Sequence, residues 1–452
     1  MEPMRPLSLA LACLLSAARA SAAPDPGFDG DAGLPTPFSS DAPAPPAPAA
    51  SPASKASPVD DRLWVVLDAK DAAQRTQAVD AGINIEEVRP GRSGGFATSK
   101  ALARAKAAGV KVLSATRLSP LKRFPGGDSI YHTYAQTVTE LKSLAAQAPD
   151  LASLFSIGKT VQGRDIWALR LCPGAKNDEP SKLPGALFIG EHHAREHLSN
   201  EVPLLLAKRL IEGRQDPDVA RLLKSRDITI IPLLNGDGAE YDVASDNYRM
   251  QRKNMRDNGD GTFGVDLNRN YDWGWGGEGA SADTSDETYR GTAAFSEPET
   301  QAVKAFIEAR PNLAVLISYH TYSELVLYPW GGSNAPIEDK EALKAYKAMA
   351  GEMGRMTGYT PEQSSELYVA SGDLTDWSWG RHKIYSFTFE MMPSSMGGGG
   401  FYPGPAAIAT SVQLNWRPML YLLDLADDPL RAGRSNLLSD FSFQPQTTQE
   451  VQ

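Results

Sequence analysis

The sequence has little cysteine: among 452 residues only Cys13 and Cys172 occur. Cys13 falls in an amino-terminal segment that we expect to be removed, so the mature chain can form no internal disulfide, whatever compartment it reaches. A chain without disulfides must take its stability from a large packed core and from any metal it binds. We expect Cys172 to be a buried small hydrophobic residue.

An excess of basic residues is also missing. The chain has 45 Lys and Arg against 55 Asp and Glu, with a formal net charge of -10. No basic patch dominates, which argues against nucleic acid as a partner. No stretch is long and apolar enough to cross a bilayer, so we expect no membrane span. With 42% hydrophobic and 22% charged residues the composition is that of an ordinary globular protein, which we expect to be a monomer.

Residues 1–23 have the pattern of a signal peptide. Arg5 supplies a basic start, residues 7–15 are apolar, and residues 18–23 are mostly small. An alternative interpretation as a lipoprotein signal at Cys13 is weaker, because few apolar residues precede it. We therefore expect a secreted or periplasmic protein.

Composition divides the rest of the chain. Residues 24–60 are rich in Ala, Pro and Ser and cannot bury enough apolar surface to fold, which predicts a linker. Residues 61–121 alternate as β-α-β-β-α-β, the order of the ferredoxin-like motif. A linker, 122–127, then leads to a large domain, 128–427, and a polar tail, 428–452, predicted to be mobile. Lys122-Arg123 in the linker is equally consistent with a processing site and with a charged loop.

Apolar runs alternate with helical patterns throughout the large domain, and the runs lie at 166–171, 186–189, 228–234, 313–319 and 384–389. This alternation predicts an α/β fold with a mixed, largely parallel sheet sandwiched by helices. The last two runs are typical of strands buried on both faces. In such sheets ligands bind at the carboxyl edge of the strands.

Polar side chains follow three of these runs. His193 and Glu196 come after the run 186–189, and although such a pair alone is more often a solvated loop, the two could share one ion. His320 directly follows 313–319, and Glu390 directly follows 384–389. Two imidazoles and one carboxylate complete a catalytic zinc site with an open fourth position. We therefore expect these residues to meet at one sheet edge.

Four segments carry a resemblance to a family: 191–196 (EHHARE), 264–270 (GVDLNRN), 318–323 (SYHTYS) and 385–390 (YSFTFE). In this order they resemble the zinc metallocarboxypeptidases of the carboxypeptidase A, B and T type, over about residues 128–427. The small domain resembles, more loosely, the inhibitory pro-segment of that family. The resemblance implies a carboxypeptidase-like fold, one Zn²⁺ ion, and peptide or protein carboxyl termini as substrates.

The resemblance also implies roles for individual residues. His193, Glu196 and His320 would bind the zinc, and Glu390 would be the general base that takes a proton from the metal-bound water. Arg252 would stabilise the tetrahedral oxyanion, and Glu390 would then pass its proton to the departing amine. The residues expected to contact the substrate are Arg195, Asn268, Arg269, Thr321 and Tyr368. Of these, Asn268 and Arg269 would hold the terminal carboxylate and Tyr368 would close over the substrate.

Specificity is predicted from two further positions. Thr375 resembles the pocket-floor position, where Asp or Ile would favour basic or apolar residues; Thr is neither. Asp373 stands where some bacterial dual-specificity relatives have an acid. We expect a broad pocket for apolar or aromatic residues, with Asp373 also permitting Lys or Arg.

Two histidines and two other functions are alternatives. His192 is a second candidate for the metal, whereas many relatives have an aromatic residue at His197, which is interpreted as packing. A zinc deacylase on the same scaffold would keep the metal ligands but not the substrate-binding set. A catalytically silent peptide-binding protein would not be expected to keep Glu390.

Overall fold

The structure is a computed structural model that describes residues 62–117, 131–244 and 248–434. The predicted signal peptide, the linker 24–60, Lys122-Arg123 and the end of the predicted tail lie outside the described residues. Among the helices that are described, none has the length and apolar character needed to cross a bilayer.

The first described segment folds with the predicted order β-α-β-β-α-β. Its elements are β1 (Leu63–Leu67), α1 (Ala72–Asp80), β2 (Asn84–Arg89), β3 (Arg92–Ala97), α2 (Ser99–Ala107) and β4 (Val112–Arg117). The strands pair antiparallel in the order β2-β3-β1-β4. Both helices begin at side-chain caps, since Asp71 accepts from Gln74 N and Thr98 accepts from Ala101 N. We call this segment the small domain.

The second part of the chain contains an eight-stranded sheet and the helices that cover it. In chain order its elements are α3 (Tyr134–Gln147), β5 (Ala152–Lys159), β6 (Asp165–Leu171), β7 (Gly185–Gly190), α4 (Leu198–Glu212), α5 (Pro217–Ser225), β8 (Asp227–Ile231), α6 (Gly236–Val243), α7 (Pro298–Glu308), β9 (Leu313–Thr321), β10 (Leu325–Tyr328), α8 (Lys340–Thr357), β11 (Thr360–Gln363), α9 (Ser364–Leu367), α10 (Leu374–His382), β12 (Tyr385–Met391), α11 (Ala406–Leu425) and α12 (Arg431–Arg434).

The large sheet is mixed, as predicted. Its strand order is β11-β10-β12-β9-β7-β8-β6-β5. The central strands β12, β9, β7 and β8 are parallel, whereas β8, β6 and β5 pair antiparallel at one side. At the other side β10 is antiparallel to β12 and parallel to β11. The parallel centre places the carboxyl ends of β7, β9 and β12 at one edge.

Helices cover both faces of the sheet. Ala186 and Phe188 of β7 belong to one buried apolar cluster, together with residues of α4, α8 and α11. The alternate residues Leu187 and Ile189 belong to a second cluster, with residues of α7 and α10. Successive side chains of a strand point to opposite faces, so an apolar run in β7 is what two covered faces require. The predicted sandwich is confirmed.

The fold continues beyond the predicted start of the tail. Arg431 at the start of α12 donates to the carbonyl of Asp424 at 2.7 Å, and Ala432 is buried. The polar composition after Asp428 predicted a mobile segment from that point. Ion pairing with Asp424 and Asp427 accounts for the difference, because it holds a polar helix on the surface.

Gly190 at the end of β7 allows the close approach that positions the following loop. A Cβ atom there would lie 1.9 Å from the Ser199 carbonyl oxygen and 2.8 Å from that of Pro232. Only glycine fits between these backbones. The end of β7 is thus held against the first turn of α4, and residues 191–197, which we call the metal loop, must turn sharply between them.

Candidate metal centre and active site

The three predicted metal ligands converge at the carboxyl edge of the sheet. His193 and Glu196 lie on the metal loop, and His320 lies near the end of β9. His193 Nδ1 is 2.7 Å from Glu196 Oε1, and His320 Nδ1 is 3.0 Å from Glu196 Oε2. The two Nδ1 atoms are 3.2 Å apart. Within the described ranges these residues form the group whose geometry suits a metal ion.

The donor atoms fit a zinc ion. Ligand bonds of about 2.0–2.2 Å in a tetrahedron put neighbouring donor atoms roughly 3.3 Å apart, close to the spacing of the two imidazole nitrogens. Burial lowers the pKa of His320, which favours the neutral ring with a free lone pair. Two such lone pairs facing each other in a buried site repel unless a cation lies between them. The arrangement is therefore that of a metal site.

The outer nitrogen of each ligand histidine has its own partner. His193 Nε2 lies 3.2 Å from Asp266 Oδ1, and His320 Nε2 lies 3.0 Å from Ser318 Oγ. Such contacts fix the ring orientation and keep Nδ1 as the metal-binding atom. No role is predicted from the sequence for Asp266 or Ser318, although both lie within the four motifs that carry the resemblance.

The other two histidines of the metal loop do not join the triad. His192 Nε2 is 3.0 Å from the Tyr271 hydroxyl, and its Nδ1 is 3.4 Å from Ser318 Oγ, so both nitrogens are engaged. His197 is buried between two carboxylates, with Nε2 3.0 Å from Asp242 and Nδ1 3.1 Å from Glu191. His197 therefore does more than pack. Burial opposes its charge, but these carboxylates raise the pKa of His197 to about 10.

Glu390 lies on the strand next to His320. The two residues are paired in register between the parallel strands β12 and β9, at the same edge of the sheet. Burial raises the pKa of Glu390 well above its ordinary range, and the negative charges of Glu196 and Glu86 act in the same direction. Arg252 and Arg269 oppose this effect, as would a cation at the triad. Glu390 is therefore a partly buried carboxyl able to exchange a proton.

Arg252 is held next to the metal loop from two sides. Its guanidinium donates through Nε and Nη2 to Asp266 Oδ2 at 3.0 and 2.8 Å, and its carbonyl accepts from Ala194 N at 3.0 Å. Asp266 thus contacts both a proposed zinc ligand and this arginine. Burial would raise the pKa of Asp266, but the positive charges of Arg252 and Arg269 help to hold it well below its usual range.

The remaining substrate-binding candidates lie around this centre. Arg269 donates through Nε to the Gly279 carbonyl at 2.9 Å, and Asn268 Oδ1 accepts from Leu374 N at 3.0 Å. The positive charges of Arg269 and Arg252 both favour the ionised form of Tyr368, although burial raises the pKa of this hydroxyl overall. The charges of Arg252, Arg269 and Glu86 therefore act on the pKa of both Tyr368 and Glu390.

Thr321 and Asp373 each have one side-chain oxygen that no described residue uses as a hydrogen-bond partner. Thr321 N donates to Glu196 Oε2 at 3.1 Å. Its hydroxyl, like Asp373 Oδ2, is buried without a hydrogen-bond partner among the described residues. Asp373 Oδ1 accepts from the Thr375 hydroxyl at 2.6 Å, so the Thr375 hydroxyl is directed at this carboxylate. Burial raises the pKa of Asp373.

Arg195 contacts the small domain. Its Nη2 donates to Glu86 Oε1 at 2.6 Å and its Nη1 to Glu287 Oε2 at 2.7 Å. The guanidinium lies over the rings of Phe96, at 5.2 Å, and Phe401, at 4.4 Å. Arg195 is predicted from the sequence to contact the substrate, whereas no role is predicted for Glu86, which lies in β2 outside every motif. Burial raises the pKa of Glu86 to about 7 in spite of Arg195.

Comparison with known proteins agrees with this geometry. Residues 137–418 match the family model described as zinc carboxypeptidase. The chain is 38% identical over 313 residues to a zinc carboxypeptidase of Saccharothrix mutabilis subsp. capreolus, covering 67% of this chain and 71% of that protein. It is 32% identical over 301 residues to human carboxypeptidase A1, covering 65% and 70%.

A solved structure has the same fold. Carboxypeptidase A from Helicoverpa armigera aligns with 83% of this chain and 99% of its own length, with a TM-score of 0.68 and 23% identity. The predicted carboxypeptidase-like architecture is confirmed. Together with the family match, which spans more than half of the sequence, these similarities establish that the chain belongs to the zinc carboxypeptidase family, which uses one zinc ion, and is a metallocarboxypeptidase.

Proposed function

We propose that the protein removes residues from the carboxyl ends of peptides and proteins, with His193, Glu196 and His320 binding the zinc ion. The convergence of three donor atoms, next to a strand that carries Glu390, is the observation that supports this proposal most directly. Bound there, zinc would polarise the scissile carbonyl and make an attacking water more acidic.

Glu390 takes the proton of the attacking water and returns it to the departing amine. A carboxyl whose pKa is raised by burial and lowered by neighbouring cations can do both near neutral pH. Arg252 stabilises the negative charge that develops on the carbonyl oxygen, and Asp266 keeps its guanidinium oriented. Asn268 and Arg269 bind the terminal carboxylate, and Tyr368 covers the substrate.

A panel of peptides tests the reaction class. Peptides with a free carboxyl terminus should lose their last residue, whereas the same peptides with a terminal amide should be cleaved far more slowly, because Arg269 would lack its anionic partner. Mass spectrometry of the products identifies the bond that is cut. Cleavage of the amidated peptides at an equal rate, or release of an amino-terminal acyl group instead, would contradict the proposal.

Asp373 is proposed to broaden the specificity towards basic residues. Its Oδ2 atom is buried and has no hydrogen-bond partner within the described chain, and a substrate cation would relieve that cost. We expect Asp373→Ala to reduce kcat/KM for Arg-ended peptides by roughly 10- to 100-fold, the effect of one charged hydrogen bond. Phe-ended peptides serve as the control on the same variant. An unchanged ratio of Arg to Phe turnover would remove Asp373 from this role.

The small domain is proposed to be an inhibitory pro-segment. Glu86 and Phe96 occupy Arg195, which a substrate would otherwise approach. On another side of the interface, α1 contacts the segment that carries Tyr368. Arg75 donates to the carbonyls of Glu366 and Leu367, and Val369 N donates to Thr76 Oγ1. The backbone on both sides of Tyr368 is therefore bound by the small domain.

Weakening these contacts should activate the unprocessed chain. We expect the double variant Glu86→Ala, Arg75→Ala to cleave a chromogenic peptide at least about tenfold faster than the parent precursor, because it leaves buried partners unpaired in the closed form. Lys111→Ala is a matched control, since Lys111 pairs with Asp68 inside the small domain. If the parent precursor already works at the rate of residues 128–452, inhibition by the small domain is wrong.

Export is proposed on the pattern of residues 1–23. A basic start, an apolar centre and small residues before position 24 suit removal by a signal peptidase. Amino-terminal sequencing of the protein from the culture medium or periplasm should give a first residue near position 24, or one near Lys122-Arg123 after processing. An intact Met1 in the functional protein would contradict export by this route.

A further inference from the structure

A buried ion-pair network lies behind the metal loop and takes part in none of the proposed catalytic steps. It consists of Glu191, His197 and Asp242, whose side chains are at most 5% exposed. His197 Nε2 is 3.0 Å from Asp242 Oδ2, and its Nδ1 is 3.1 Å from Glu191 Oε1. Buried charges are costly to separate, so the network restricts where the three attached backbones can lie.

On one side, the network joins the two ends of the metal loop. Glu191 is its first residue and His197 its last. Glu191 has a φ of +52°, an uncommon conformation for a residue other than glycine. Its amide donates to Ser199 Oγ at 3.0 Å, and its carbonyl accepts from Asn235 N at 3.0 Å. The charge contact between Glu191 and His197, which lacks hydrogen-bond geometry, joins the two ends of the loop that carries His193 and Glu196.

On the other side, Asp242 connects the loop to the segment before Arg252. Asp242 Oδ1 accepts from Gln251 N at 2.8 Å, and the Asp242 carbonyl accepts from Arg249 N at 3.2 Å. Tyr402 donates its hydroxyl to Asp242 Oδ2 at 2.9 Å. Asp242 therefore binds the backbone of segment 249–252, whereas Asp266 binds the side chain of Arg252 at the end of that segment. Glu196 directly precedes His197, a member of the network. Arg252 directly follows Gln251, whose amide donates to Asp242.

We propose that His197, bridging Glu191 and Asp242, is a positioning residue that sets Glu196 and Arg252 relative to each other. None of the three touches zinc or substrate. This proposal rests on the proposed zinc site. It adds the His197 network to Asp266 as a second group of residues that orients the site. A pair that served stability alone would resemble the buried pair of Arg170 and Asp227, which lies near the amino ends of the parallel strands.

The test compares zinc affinity in Asp242→Asn, His197→Gln and the matched control Asp227→Asn. Glutamine carries its donors on one nitrogen, so it cannot span two carboxylates on opposite edges of a ring. Zinc is added back to the metal-free protein in competition with a chelator, at a temperature where circular dichroism shows the native spectrum. We expect the dissociation constant to rise about 10-fold in both network variants, the lower end of the effect of groups that contact a ligand directly, because the network acts on Glu196 through the backbone.

The same proteins, saturated with zinc, give a second readout. We expect kcat to fall more than KM rises in the network variants, because Arg252 acts on the transition state. The double variant should be little worse than either single one, since both break the same bridge. The control should unfold at a lower temperature but bind zinc within about threefold of the parent, because the Asp227 side chain pairs with Arg170 and Asn312 and not with the metal loop.

Equal zinc affinity and an unchanged ratio of kcat to KM in Asp242→Asn would overturn the inference, even if His197→Gln did not fold. Failure of the parent chain itself to bind zinc would instead overturn the proposed metal site, and this inference with it. The two failures are therefore distinguishable.

Discussion

Replacing Glu390 with glutamine is expected to lower kcat by about 10²- to 10⁴-fold, the usual contribution of a general acid-base group. Glutamine has nearly the same shape but cannot accept the proton of the attacking water or return it to the leaving amine. Because Glu390 is not one of the three converging donors, zinc content should be unchanged, and KM should change by less than about threefold. Steady-state kinetics on a Phe-ended peptide, together with zinc analysis, measure both.

Glu299→Gln is the matched control for this prediction. Glu299 is also buried, and burial raises its pKa to about 7, but it accepts from Val161 N and Asn254 rather than facing the triad. We expect this variant to keep its kcat. A Glu390→Gln enzyme that retained more than about a tenth of the parent kcat would show that another group moves the proton.

Replacing a proposed zinc ligand is expected to have a still larger effect. In His320→Ala the triad keeps one imidazole and one carboxylate, too few for the three protein ligands of a catalytic zinc. Peptidase activity should fall below detection, roughly 10⁴-fold or more, since both polarisation of the carbonyl and activation of water are lost. Zinc at concentrations that saturate the parent should not restore it.

His132→Asn is the control for His320→Ala, because it removes a histidine that is not a proposed zinc ligand. His132 is partly buried and pairs at 2.8 Å with Glu201, a buried residue of the first turn of α4 that is not one of the three candidate ligands. This variant should stay active, although its stability will fall where the pair is formed. Full activity in His320→Ala, or activity restored there by zinc, would exclude His320 as an essential ligand.

The fold and the meeting of His193, His320 and Glu390 at one sheet edge are predictable because they depend on simple periodicity. His193, His320 and Glu390 each follow or end an apolar run, and parallel strands carry such positions to one sheet edge. Registration of Glu390 with His320 follows from that topology. The four motifs added the identity of the third ligand and the order of the roles, which periodicity alone does not supply.

The partners behind the ligands could not be predicted in the same way. Asp266 lies in the stretch between α6 and α7, where no long helix or strand fixes a side chain's direction. Its contacts with His193 and Arg252 depend on the path of that connection. Asp242 lies in α6, a helix that is not predicted from the sequence, and its pairing with His197 requires the sharp turn of the metal loop. Glu86 comes from a different domain altogether.

Zinc content of the purified protein, measured in parallel for the parent, His320→Ala and His192→Gln, shows whether His320 and not His192 binds the metal. His192 has both nitrogens engaged by Tyr271 and Ser318, so it is the neighbouring histidine that should not be needed for the metal. The account predicts about one zinc per chain in the parent and in His192→Gln, and almost none in His320→Ala. Zinc retained by His320→Ala but lost from His192→Gln would contradict it.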